Sequence, residues 1–295
     1  MSSNHSHPSL PLFALLFGAT LWGVFWYPLR LLEEQGLSGL WLALITNAVA
    51  WCVGLPWLWR RRAELKHHPW LLSTLGLVTG LCNITFVLAV IEGSVVRVLL
   101  LFYLSPLWAS LLGWVILGER LTARAWSLLA IAMTGALIML WDGAAGAFWP
   151  HGRADALALL SGLTFALSNV LIRKLQRISV PVKTTAVWAG GALLAALWLL
   201  LGAQPAPQVS ITALIYAIAL GALGITAMTL AVQYGVTRMP VQRSAVILLF
   251  ELVAGALSAA WLAGETVQTH EWLGGALIVL AGYFSARSPG ITERR

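Results

Sequence analysis

The chain has 295 residues, of which 59% are hydrophobic and only 10% charged. A soluble domain carries about 25% charged and about 45–50% apolar residues, so the deficit of charge excludes a protein with an aqueous surface and predicts an all-α integral membrane protein. The net charge of +7 is spread over short links between apolar runs, which argues for membrane topology and against a nucleic-acid partner.

A helix rising about 1.5 Å per residue needs about 20 apolar residues to cross the hydrocarbon core. Ten such runs are predicted in chain order. The opening MSSNHSHPSLP lacks the basic start of a secretory signal, so the first run, Leu10–Leu32, is expected to be a retained transmembrane helix. Leu37–Trp59, Trp70–Ile91, Ser94–Leu117 and Ala123–Trp141 follow, then Ala154–Leu175, Lys183–Gly202, Ile211–Gly235, Val241–Leu262 and Glu271–Ala286. The links are too short for a soluble domain. With the amino terminus inside, fifteen of the eighteen Lys and Arg residues fall on the inner side, leaving Arg30, Arg97 and Arg153 outside. Retention of basic loops then predicts cytoplasmic termini and short tails at 1–9 and 287–295.

Part of the chain is written twice. Val95, Arg97, Gly118, Glu119 and Trp126 reappear 146 positions later as Val241, Arg243, Gly264, Glu265 and Trp272. Trp22, Trp26 and Arg30 align with Phe165, Asn169 and Arg173 at a shift of 143, each trio on one helical face. Two five-helix units, 10–141 and 153–286, are therefore expected. Five is odd, so the second unit enters the membrane upside down, and such inverted repeats place a solute path at their interface.

Charged and polar groups within the spans mark the candidate path. Glu251 lies eight residues beyond Arg243, about 12 Å along the helix. There it either pairs with a cation or keeps its proton, as a proton carrier, a ligand for an amine, or a hydrogen-bonded packing residue. Arg97 and Arg243, equivalent across the repeat, either snorkel to the interface or attract an anionic group, with Glu92 the nearest acid to Arg97. Asn83 and Asn169 are the mid-span amides of choice; Asn47, Thr229 and Gln233 are further polar groups. Trp22, Trp26, Tyr103 and Trp108 either line an aromatic cavity or fill space between helices. Tryptophans near span ends, such as Trp59, Trp70 and Trp141, read as interfacial anchors. Gly76 and Gly80 have the spacing that lets helices approach closely.

No metal site is expected: Cys52 and Cys82 lie inside apolar runs, and His67-His68 sits in a basic link. No G-x-x-x-x-G-K-[ST] segment occurs, so ATP-driven pumping is not expected. The outer-side acids Glu33, Glu34, Glu92, Asp142 and Asp155 are dispersed, which counts against a lipid-modifying membrane enzyme. Short links leave little surface for a sensor or scaffold.

SPLWASLLGWVILGERLTARAW and LFELVAGALSAAWLAGETVQTHEW resemble the paired motifs of the EamA family of the drug/metabolite transporter superfamily, and ATLWGVFWYPLR resembles its first helix. The resemblance runs from Leu12 to Ala286. It implies a ten-helix permease of a bacterial-type inner membrane that moves small metabolites, amino-acid-like or drug-like solutes by alternating access, often outward; Glu251 makes a proton one candidate coupling ion, and no cofactor is expected. Glu251-Leu252 stands where the family commonly has Glu-Pro, and Ser105-Pro106 keeps the proline with serine in place of the acid. By the resemblance, Ser105 joins the candidate path, and the kink of the ninth helix is in question.

Overall fold

A computed structural model describes residues 10–93, 95–119, 121–141, 152–202, 205–264 and 266–287; Glu265, Asp142, the tail at 1–9 and, of the tail at 287–295, all but Arg287 lie outside the described residues. Among those described, the protein is all-helical with no strand. We label its helical rods α1 (Leu10–Glu33), α2 (Gly39–Arg60), α3 (Pro69–Glu92), α4 (Arg97–Leu117), α5 (Ala123–Met139) and α6 (Gly152–Lys174). The others are α7 (Val180–Leu201), α8 (Ile211–Arg238), α9 (Val241–Leu262) and α10 (Thr269–Ala286). All but α5 and α10, eight in number, are long and apolar enough to cross a membrane. The 17-residue α5 is a shorter apolar helix.

Local chemistry accounts for the ends. Pro69 opens α3, where its missing N–H costs nothing. The hydroxyls of Thr122 and Ser210 accept from the third residue onward at the starts of α5 and α8. Gln268 and Glu271 form a reciprocal capping box on α10. Gly118 and Gly264, with φ of 71° and 67°, close α4 and α9 in the left-handed conformation that glycine adopts without strain.

Three rods are interrupted. In α1 the helix pauses at Phe25, because Pro28 has no N–H to give the Val24 carbonyl. In α4 the break falls at Tyr103 and Leu104, where Pro106 likewise cannot serve Phe102. In α9 it falls at Leu249, 146 positions after Tyr103 and without a proline. The kink in question is thus present despite Leu252. α8 stays continuous but loosens to a π-helical turn at Leu220–Ile225, where the Thr226 hydroxyl donates to the Gly221 carbonyl at 3.0 Å.

The packing pairs helices of the first half with helices of the second. α2 lies on α7 and α8, α5 on α10, α3 on α6 and α7, α4 on α6, and α1 on α8 and α9. Exchanging each helix for the one five places along leaves this pattern unchanged. Directions follow from close approaches at glycines. Gly54 faces Thr185 and Trp188 while Gly191 faces Asn47, so α2 and α7 run antiparallel. Gly135 faces Ile278 while Gly274 faces Met139, so α5 and α10 do as well. Gly76 and Gly80 meet the backbone of Ala186 and Gly190 on α7, as small residues at that spacing allow.

The apolar core fills the seam between halves, with Leu15, Ala19, Leu75, Trp188, Met228 and Ile247 in its largest cluster. Many Leu, Ile and Trp side chains face outward, among them Trp59, Trp70, Leu200, Leu201 and Trp261. An outward apolar belt is what lipid, rather than water, requires.

Candidate functional site

The breaks in α4 and α9 lie side by side at one narrow cavity, lined by Phe102, Tyr103, Ser105, Phe165, Asn169, Leu249 and Glu251 among others. Ser105 and Glu251 are repeat equivalents, as are Tyr103 and Leu249. The cavity measures about 10 Å³, room for about one water molecule. Tyr103 and Glu251 both line it, one from each broken helix. Phe102 packs on Phe86, Tyr103 and Phe165 with ring centroids 5.1–5.4 Å apart, so the wall is aromatic on one side and carries an acid on the other. Ser105 and Asn169 are each 4% exposed. A polar amide and a carboxyl at a dry, helix-broken point make a site able to grip an amine or exchange a proton.

Of the nine residues picked from sequence, the structure brings Tyr103, Ser105, Asn169 and Glu251 together here. Trp22 and Trp26 do not line this cavity. Trp22 stacks edge-on to Phe25 within the core seam, and the Trp26 indole donates to Ser258 at 2.9 Å, tying α1 to α9. Trp108 packs against Ala109, Ala166 and Val170 instead. Asn83 donates to Thr79 of its own helix at 3.1 Å. Phe165 was read only as the repeat mate of Trp22; that alignment was the signal that would have found it.

Arg97 has a different partner from the nearest acid. Its guanidinium meets both carboxylate oxygens of Asp155 at 2.7–2.8 Å, whereas Glu92 pairs with Arg153 at 3.5 Å. Asp155 is 3% exposed, so the pair is largely shielded and bidentate, the strong geometry for such contacts. It joins the start of α4 to the start of α6. At the other end of the same two helices, the Glu119 carboxylate accepts from Arg173 at 3.3 Å and caps the N–H of Val241 at 2.9 Å. The second contact gives the Gly118-Glu119 turn a physical role: it holds the first residue of α9. Thus α4 and α6 run parallel, tied at both ends.

Lys183, counted with the inner-side basic residues and expected to open the seventh span, is preceded by helix from Val180. It lies three residues inside α7, fully buried, and donates to the Ile172 carbonyl and the Thr237 hydroxyl. Both acceptors belong to the last turns of helices, where the backbone dipole favours a cation. Gln233, 1% exposed, has no partner for either amide atom among the described residues.

Beside this point opens a wider cavity of about 730 Å³, which Arg243 lines together with Arg61, Arg173, Arg177 and Arg238. Glu64 in its wall receives the Ser179 N–H at 2.7 Å and Arg61 at 3.1 Å. Burial pushes the Glu64 carboxyl up, but hydrogen bonds from Ser179 and Arg61 outweigh it and hold the group below the usual carboxylate range. No group of three or more His, Cys, Asp or Glu side chains able to hold a metal occurs among the described residues.

Long apolar rods with a lipid-facing belt and a broken-helix centre define a multi-pass membrane protein. The profile of the EamA-like transporter family matches residues 9–141 and again 152–287; the chain belongs to that family and is a membrane transporter. An uncharacterized transporter of Archaeoglobus fulgidus is 26% identical over 204 residues, 68% of this chain and 70% of that protein. Protein RarD of Salmonella typhi is 30% identical over 145 residues, 48% of this chain and 44% of that protein. A solved crystal structure at 19% identity covers 96% of both chains with a TM-score of 0.73, a likeness of fold.

Proposed function

We propose that the protein is a secondary transporter of small organic solutes, working by alternating access in a bacterial-type inner membrane. In this reading all ten rods cross the bilayer, residues 10–141 and 153–286 form two five-helix halves of opposite orientation, and both termini are cytoplasmic. The 146-residue recurrence of helix break and left-handed cap, and the antiparallel pairs α2–α7 and α5–α10, support it. The observation that carries the solute path is the meeting of Tyr103, Ser105, Asn169 and Glu251 from both halves at one helix-broken point. Glu251 acts as the proton-coupling acid and as ligand for a substrate amine, while the aromatic wall accepts apolar or cationic parts of the solute. The Arg97–Asp155 and Glu119–Arg173 pairs close the two ends of the path.

Proteoliposomes containing the purified protein should accumulate members of a labelled panel of amino acids and related metabolites, with a rate that depends on an imposed proton gradient. Equal uptake by empty and protein-containing vesicles across the panel sinks the transport reading. Glu251→Gln should abolish the gradient dependence. Wild-type rate and pH profile in that variant would overturn the proton role while leaving transport standing.

A further inference from the structure

The cavity of about 730 Å³ beside Lys183 gathers guanidinium groups from four helical regions. Arg61 comes from the end of α2, Arg173 and Arg177 from the end of α6 and its following link, Arg238 from the end of α8, and Arg243 from the first turn of α9. Retention of basic residues on one face explains which side of the membrane they occupy. It does not explain why they converge on a single hollow.

Among the described residues that line the hollow, five guanidinium groups face one carboxylate. Glu64 is the one carboxylate among the lining residues, and its two oxygens are taken by Arg61 and by the Ser179 N–H. Arg173 holds Glu119 by one contact at 3.3 Å, far looser than the bidentate Arg97–Asp155 pair. Arg238 stacks on its own neighbour, with the guanidinium carbon 3.6 Å from the Tyr234 ring centre. Arg177 is exposed and lines the cavity. The buried Lys183 amine donates to Thr237 just behind this wall. A concave wall of one sign focuses its field on whatever enters, and guanidinium forks match carboxylate and phosphate oxygens.

We propose that this hollow is an anion-binding vestibule that captures the carboxylate or phosphate group of a solute before it reaches the broken-helix cavity. The assignment rests on the transporter reading for the word solute, but the binding itself does not. It narrows the substrate class to molecules bearing an anionic group. An anion seated here competes with Glu119 for Arg173, which couples loading to release of the tie between α4 and α6. Headgroups of anionic lipids carry the same chemistry, so the source must be separated by experiment.

The test uses the full chain in nanodiscs of zwitterionic lipid, titrated with succinate and with inorganic phosphate while tryptophan fluorescence or heat is recorded. Binding of at least one anion is expected, and it should weaken with added salt. Arg177→Gln and Arg61→Gln should each weaken it by about tenfold, whereas Arg287→Gln, outside the cavity, should leave it unchanged. Melting temperatures of all variants establish that they are folded. A second arm uses nanodiscs containing phosphatidylglycerol and native mass spectrometry. Lipid retained by the wild type and lost in Arg177→Gln, with no soluble anion bound, assigns the hollow to lipid headgroups and overturns the solute vestibule. Absence of both soluble anion and lipid binding overturns the proposal, as does binding that is unaltered in both arginine variants. Solute flux with no anion binding leaves the transporter reading intact and sinks only the vestibule.

Discussion

α4 and α9 break at the same point of the repeat and end in the same left-handed glycine, yet they carry different chemistry. Beyond its break α4 presents Ser105 and Pro106, and α9 presents Glu251 and Leu252. At its start α4 offers Arg97 to the shielded carboxylate of Asp155, while Arg243 of α9 lines an open basic hollow. The backbone of the repeat is therefore held by packing between halves, since one copy keeps its break without proline. The side chains differ, and the cavity between them carries Glu251 from α9 and Ser105 from α4.

The largest effect expected from breaking this comparison is at the Arg97–Asp155 tie. Asp155→Asn removes the negative charge that faces the Arg97 guanidinium, and removal of one partner from a buried pair costs about 3–5 kcal/mol. Denaturation of the purified protein in mixed micelles should register it. The double variant Arg97→Gln with Asp155→Asn should recover part of the loss, because the unpaired charge is then gone. If the double variant is no better than the single, the pair is not the source of the stability.

At the opposite end of α4 and α6 a smaller cost is expected. Glu119→Ala removes a charged acceptor from both Arg173 and the Val241 N–H, worth about 2–3 kcal/mol. Glu119→Gln keeps an acceptor for Val241 and should lose roughly half as much. The same unfolding assay checks the order Asp155→Asn, Glu119→Ala, Glu119→Gln. An inverted order would make the Glu119 end the stronger tie.

Much of this arrangement was legible in the chain because it is periodic or duplicated. Apolar length marks spans, and the 146-residue shift pairs Gly118 with Gly264 and Ser105 with Glu251. Contacts between distant helices were not legible. Arg97 meets Asp155, 58 positions away, and no local spacing favours it over Glu92, only five positions off. Lys183 counts toward the basic side of the membrane, but a charge count cannot tell a solvated loop from two helix ends closing over an ammonium group. Trp22 and Trp26 have the spacing of a cavity stripe, and the same spacing serves a core seam. The basic hollow escaped for a similar reason: its arginines are scattered in sequence and meet only when four helical regions end at one place.

The smallest effect concerns the proline that distinguishes the two breaks. Pro106→Ala restores an N–H that is able to donate to the Phe102 carbonyl and frees the unfolded chain, a change worth about 0.4–1 kcal/mol through the unfolded state. The lost ring atoms add a packing term of comparable size. A total near 1 kcal/mol is expected, with the break at Tyr103 retained, because α9 holds its own break with Leu252 in the corresponding place. Spin labels on either side of Tyr103 should report the same distance as in the unsubstituted protein. Straightening of α4 in this variant would mean that proline alone holds the first break, and that the two halves reach one backbone shape by different physical means.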